Sequence, residues 1–324
     1  MYGTIRSAAR LRDRMEATLP AITPVGGLSL GLMRVKLTYF CRHGRLPDLE
    51  NPLLFTELVQ DRKLNVRDPQ YALLADKVRV KTEVARRIGE DWVTPTLWHG
   101  TELPDQPCWP EPFVVKSRHG CNQTAFVLTG GEDWQAIQKK SRGWMARRYG
   151  YWLDEWLYQS IPKGILVEPF IGTGPDLPID FKFYVFAGRV EFIQVHLGRG
   201  KRHRWILFDR SWSRVSAATS DPDPARPKSF YRMIDAAEEL GRDLDFVRVD
   251  LYDVDKGPRF GELTFYPGSG LDRFDPVALD QLLGRHWLHA KSSLRAGNAS
   301  GIPVLAPLNT RDHCHRTSMH NLRA

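Results

Sequence analysis

Two acids stand where a strand would normally place apolar side chains. In FVRVDLYDV and, after a short turn, FGELTFYPGSG, Asp250 and Glu262 interrupt two runs of strand composition. Unpartnered charge inside paired strands is costly, so a cation is the simplest explanation. Two carboxylates from neighbouring strands, completed by water and phosphate oxygens, suit Mg²⁺ bound through a nucleotide. The plainer alternative is an exposed face on which Arg248 and Arg259 neutralise the acids. The adjoining Pro-Gly-Ser-Gly turn favours the first reading, because Gly268 and Gly270 let backbone N–H groups approach an anion. If Asp250 and Glu262 oppose each other across antiparallel strands, Arg248 must oppose Thr264 and all four share one face. That register predicts a connecting loop of three or five residues, or a bulge near Gly257.

Lys116 ends the apolar strand FVVK beside the loop Ser117–Gly120, a position that can set an ammonium against phosphate oxygens. Such a lysine can also simply reach for water. Lys77 and Lys81 lie four apart and are predicted to share a helix face. Glu168 closes the strand ILV before Pro169. Asp180 and Lys182 alternate on DFKFYVF and so point to one side. His119 reads as a hydrogen-bonded loop residue, and no Ser/His/Asp or Cys/His order supports a covalent nucleophile.

The elements that must position these groups follow from periodicity. Residues 1–70 read as helix and loop with a basic amphipathic start. Tyr71–Gly89 is predicted as one amphipathic helix capped by Gly89. PFVVKSRHG and AFVLTGG form a hairpin. Asp133–Gln159 returns to helical spacing. GILVEPFI, DFKFYVFAG, RVEFIQVHLG and RWILFDR are strands, Met233–Leu244 a helix, and the acid-bearing pair a last hairpin. From about Gly297 the chain reads as a flexible tail. The pattern is α+β with mostly antiparallel strands. The segments are 1–70, two lobes at 71–165 and 166–295, and the tail 296–324.

Composition narrows the class. The 324 residues are 42% hydrophobic and carry a formal charge of +8, which suits anionic partners without choosing among them. No apolar run approaches the ~20 residues of a membrane span, and no signal peptide is evident. The four cysteines, Cys41, Cys108, Cys121 and Cys314, show no zinc spacing, so a reducing cytoplasm is expected. Dispersed cations and the absence of a recognition motif argue against nucleic acid.

Taken in order, DK-x-x-x-K, PFVVK, ILVEPFI, DFKFYVFAG, VRVD and GELTFYPGSG resemble the ATP-grasp fold, most closely the TupA-like ATP-grasp family linked to teichuronopeptide and other polysaccharide biosynthesis. The resemblance covers about Thr56 to Trp287, and its last two motifs are similar to segments of D-alanine–D-alanine ligase. It implies two α+β lobes clasping ATP. Lys77 and Lys116 would contact phosphates. Glu168, Pro169, Phe170 and Ile171 would form an adenine-binding hinge, with Asp180 and Lys182 also on the nucleotide. Asp250 and Glu262 would hold Mg²⁺, and Thr264 stands where relatives place a metal-binding Asn. Arg248 and the Gly268 turn would stabilise the reacting acyl centre. The loop HGCNQ, 119–123, carries fewer glycines than relatives do.

The implied reaction joins a small-molecule carboxylate to an amine, such as an amino acid or a uronic acid conjugate, through an acyl phosphate. Its rivals are a phosphotransferase, marked by a stable phosphorylated product without an amine, and a carbohydrate- or membrane-associated assembly factor with a decayed ATP site. The basic run Gly198–Arg204 reads equally as a receptor for an acidic substrate or a solvated hairpin tip. Oligomeric state and peripheral membrane contact stay open.

Overall fold

The computed structural model describes residues 30–172, 177–198, 204–218 and 222–299. The basic start, most of the run Gly198–Arg204, and the tail from residue 300 with Cys314 lie outside the described residues.

Two antiparallel sheets carry the fold. The first has order β1-β4-β2-β3, with β1 Trp98–Gly100, β2 Phe113–Ser117, β3 Thr124–Val127 and β4 Ile165–Pro169. The predicted hairpin is its β2/β3 pair, with Val114 opposite Phe126 and Lys116 opposite Thr124. β4 falls at the start of the segment assigned from sequence to the second lobe, yet it is hydrogen-bonded between β1 and β2. The second sheet has order β7-β6-β5-β8-β9, with β5 Asp180–Phe186, β6 Arg189–Leu197, β7 Arg204–Asp209, β8 Val247–Tyr252 and β9 Arg259–Thr264.

Among the described residues, eight helices accompany the sheets: α1 Leu30–His43, α2 Phe55–Asn65, α3 Pro69–Ala75, α4 Val80–Ile88, α5 Trp134–Ala146, α6 Trp156–Ser160, α7 Phe230–Gly241 and α8 Ala278–Ala299. α5 packs on the first sheet and α7 on β5, β6 and β8 of the second. Phe183, Val185, Val249 and Leu251 are wholly buried, on the face of β5 and β8 that α7 covers. Removing each such side chain from water contributes roughly 2 kcal/mol, which fixes β5 and β8 as a stiff floor. No helix among the described residues is long and apolar enough to cross a membrane.

The predicted helix 71–89 is two helices. α3 ends at Ala75 because Asp76 turns its carboxylate back to the N–H groups of Val78 (3.0 Å) and Arg79 (3.4 Å) and pairs with Arg118 through bonds of 2.8 and 2.6 Å. An Asp that bonds the backbone ahead of it starts a new helix rather than extending the old one. The Gly89 cap is as expected: at φ 104° its N–H reaches Ala85 O. The stretch 133–159 likewise divides into α5 and α6. β1 and α8 were not anticipated.

The final hairpin has the register derived from its acids. Asp250 opposes Glu262 and Arg248 opposes Thr264. The loop, however, runs from Asp253 to Pro258, longer than expected, and the compensating bulge lies beside Gly261, not Gly257. A Cβ at Gly261 would stand 2.9 Å from Asp250 O, so the bulge falls where the partner backbone comes too close for any side chain.

Candidate active site

Between the two sheets lies a cavity of about 550 Å³. The residues to which the ATP-grasp resemblance assigned roles line it, although they come from the α3–α4 turn, both sheets and the turn after β9.

At the first sheet, Lys116 Nζ lies 2.5 Å from Glu168 Oε2, and Lys81 pairs with the other oxygen of the same carboxylate. β2 and β4 are adjacent strands, so Lys116 and Glu168 emerge side by side. Burial alone would raise the Glu168 pKa, but the two ammonium groups hold it below the usual carboxylate range. Lys81 is also fixed by Thr94 O at 2.8 Å and Thr96 Oγ1 at 2.6 Å, and burial lowers its pKa. Lys77, in the α3–α4 turn, instead reaches Gly120 O at 2.6 Å, so the two lysines serve different partners rather than one helix face. Pro169, Phe170 and Ile171 continue from β4. The Phe170 N–H is held by Pro112 O at 2.9 Å, and its ring meets Phe126 edge to face. His119 does not line the cavity and is within 3.4 Å of Ser117 Oγ and 3.3 Å of Gly164 N, the loop role expected of it.

The second sheet contributes a charged row. Lys182 stands opposite Asp250 across β5 and β8, pairing with that acid and, at 2.7 Å, with Asp180 on its own strand. Arg248 grips Asp250 with Nε at 2.7 Å and Nη2 at 2.8 Å, donates to Thr264 Oγ1 at 3.1 Å, and lies 3.5 Å from Glu262. Thr264 in turn donates to Glu262 Oε1 at 3.1 Å. Burial would lower the Arg248 pKa, yet Asp250 raises it well above its ordinary value. For Glu262, burial is outweighed by Lys77, Lys182 and Arg248, which keep it ionised.

The donor types suit a hard cation. Asp250, Glu262 and Thr264 Oγ1 share one face; both Asp250 oxygens are taken by Arg248 and Lys182, while the described contacts of Glu262 use Oε1 alone. Burial pushes Asp250 above the usual carboxylate range even with Arg248 and Lys182 opposing it. Among the described residues no group of three or more His, Cys, Asp or Glu would enclose a metal without further ligands. Two carboxylates plus water and phosphate is the arrangement that Mg²⁺ adopts at nucleotide sites.

The turn after β9 closes the far end. Gly268, Ser269 and Gly270 all have positive φ, 52°, 58° and 67°. Three consecutive left-handed residues are held by α2: Gln60 Nε2 donates to Ser269 O at 2.9 Å, and Lys63 Nζ donates to Ser269 O and Oγ at 3.1 and 3.0 Å. A Cβ at Gly270 would meet Thr56 O at 2.7 Å, which is why that position requires glycine. Sequence reasoning missed Glu155, Tyr158 and Asp272, which also line this end. Only Asp272 carried a signal, as an acid immediately past a glycine-rich turn.

The model of the TupA-like ATPgrasp family matches residues 57–288, spanning both sheets and this cavity. The chain belongs to the TupA-like ATP-grasp family. No curated protein matches it. Among solved structures, D-alanine–D-alanine ligase from Bacillus anthracis, complexed with ATP, is similar at 17% identity and TM-score 0.42, covering 71% of this chain and 69% of that one. VanG D-Ala:D-Ser ligase from Enterococcus faecalis gives 13% and 0.40, covering 68% and 61%. The ATP-grasp ligase PsnB with minimal precursor gives 11% and 0.39, covering 69% and 62%. The fold of this TupA-like protein is thus the ATP-grasp fold, with a mixed helical and antiparallel architecture.

Proposed function

We propose that this protein is an ATP-dependent carboxylate–amine ligase that works through an acyl phosphate and releases ADP. The observation that carries this reading is the cavity lined together by Lys77 and Lys116, by Asp250, Glu262 and Thr264, and by Gly268 of the glycine-rich turn.

Lys77 and Lys116 bind the phosphates of ATP, the adenine lies along Glu168–Ile171, and Asp180 with Lys182 flanks the sugar. The Lys116–Glu168–Lys81 cluster keeps the clamp lysine at the cavity wall, so phosphate binding exchanges one anion for another instead of ordering a loose side chain. Asp250, Glu262 and Thr264 hold Mg²⁺, which supplies neutralisation of phosphate charge when bound. Arg248, fixed by Asp250 through Nε and Nη2, stabilises the carboxylate and the developing acyl phosphate. N–H groups of the Gly268 turn assist it. No protein nucleophile is needed, because the carboxylate attacks the γ-phosphate and an amine then displaces phosphate from the acyl carbon.

The substrates are a small carboxylate and an amine, drawn from amino acids, uronic acids or their conjugates in polysaccharide, cell-surface or secondary-metabolite synthesis. Free Cys41, Cys108 and Cys121 suit a reducing compartment. The test is ADP release from ATP and Mg²⁺ against a panel of carboxylates, each with and without an amine. Release that requires the carboxylate, with amide formed when amine is added, supports the reading. A stable phosphorylated product with no need for amine replaces it with phosphotransfer.

A further inference from the structure

Helix α1 is held to the rest of the protein by one face. Gly31, Val35 and Tyr39 are buried, the Tyr39 hydroxyl lies 2.9 Å from Thr56 Oγ1, and near the C-terminal end Arg42 Nε donates to Leu271 O at 2.7 Å. At about 100° per residue, Met33, Leu37 and Phe40 fall within an arc of about 60° on the opposite side. They are 55%, 52% and 49% exposed. Leu46 and Leu53, past the helix, are exposed as well, so five of the eight large hydrophobic side chains that stand exposed among the described residues lie within 33–53. Apolar surface concentrated in this way marks an interaction face, whereas scattered exposed side chains would not.

Charge is concentrated in the same part of the chain. Residues 1–45 hold eight Lys and Arg against Asp13 and Glu16, a net +6 of the formal +8, while the remaining 38 basic and 36 acidic residues leave the rest nearly neutral. Four of the eight, Arg6, Arg10, Arg12 and Arg14, belong to the segment 1–29 that leads into α1 and lies outside the described residues. On α1 itself, Lys36 borders the apolar stripe.

We propose that this face of α1 docks on an anionic lipid surface, with Met33, Leu37 and Phe40 at the boundary of the acyl chains and Lys36 and the arginines of the preceding segment on headgroup phosphates. The inference is independent of the reaction catalysed. A helix with an apolar stripe and basic flanks is the form that lies in the plane of a bilayer interface. Each cation close to such a surface adds to the attraction, so the charge gathered in residues 1–45 supplies a complementarity that the nearly neutral remainder lacks. A second copy fits less well, because pairing this face with itself would bring two segments of charge +6 together. Since Arg42 ties α1 to Leu271, a residue of the cavity wall, docking holds the site at the bilayer.

The experiment floats the full-length protein with vesicles of phosphatidylcholine alone and of phosphatidylcholine containing roughly 30% phosphatidylglycerol, at about 0.1 M salt. Wild type is expected to bind the anionic vesicles at least ~10-fold more tightly than the neutral ones and to lose most of that binding by about 0.5 M salt. Leu37→Glu, and Met33→Ser, Leu37→Ser and Phe40→Ser together, should each weaken binding to the anionic vesicles by ~10-fold or more, with unfolding temperature and ATP binding unchanged because these side chains already stand in solvent. Failure of wild type to bind, equal binding to neutral vesicles, or undiminished binding by both variants overturns the proposal. So does a dimer in light scattering that Leu37→Glu dissociates, which would make the face an interface between copies. If neither variant folds, the wild-type comparison of the two vesicles at the two salt concentrations decides.

Discussion

Lys63 offers a measurement of how the turn at the acyl end is built. The residue is 1% exposed, its ammonium is bonded among the described residues to Ser269 O and Oγ, and burial brings its pKa down from 10.5 to about 8 although Glu155 and Asp154 pull it up. The folded value is below the unfolded one, so between about pH 8 and 10.5 the unfolded chain binds more protons and stability rises with pH. The whole difference corresponds to roughly 3 kcal/mol. Replacing Lys63 by Met removes that titration and nothing else that ionises. Urea unfolding of both proteins from pH 7.5 to 10.5 should show wild type gaining on Lys63→Met by up to ~3 kcal/mol across the window. Parallel curves would refute the claim that a buried, charged lysine holds the left-handed turn.

Three further outcomes follow from the same geometry. Lys116→Ala should raise the KM for ATP by roughly 10- to 100-fold with little change in stability, whereas Arg118→Ala should leave buried Asp76 without its main partner and cost about 3 kcal/mol in unfolding; equal effects of the two on ATP use would mean that the clamp is misplaced. Glu262→Gln, which keeps shape and only removes charge from a donor oxygen, should lower kcat by about 100-fold or more while the unfolding temperature stays close to wild type; normal turnover would remove Glu262 from the centre. Calorimetry should find ATP binding much weaker in the presence of a chelator, because Asp250, Glu262 and Asp180 repel phosphate until a cation intervenes; equal affinity in both conditions would remove the metal assignment.

The sequence carried the site better than its scaffold. The strand period of two is strict, so requiring Asp250 and Glu262 to share a face was enough to obtain the pairing of Arg248 with Thr264. The loop length was not legible, because the bulge that reconciles it depends on how near Asp250 O comes to Gly261. The break at Asp76 escaped local reading for a similar reason: its partner Arg118 lies 42 residues away, and periodicity sees only neighbours. Lys81 looked like a companion of Lys77 because both sit on an apparently continuous helix, but that break sends one to Glu168 and the other to Gly120. Lys63 was invisible for a different reason. A buried lysine is recognised by what surrounds it, and no spacing rule encodes that.

The central claim is an acyl phosphate formed from a carboxylate and ATP at the row Arg248, Asp250 and Glu262. The most direct measurement is to supply the carboxylate substrate labelled with ¹⁸O and analyse the phosphate released during amide formation. The account predicts one ¹⁸O transferred into inorganic phosphate for each amide formed, with ADP as the nucleotide product. Unlabelled phosphate, or AMP and pyrophosphate in place of ADP, would contradict it.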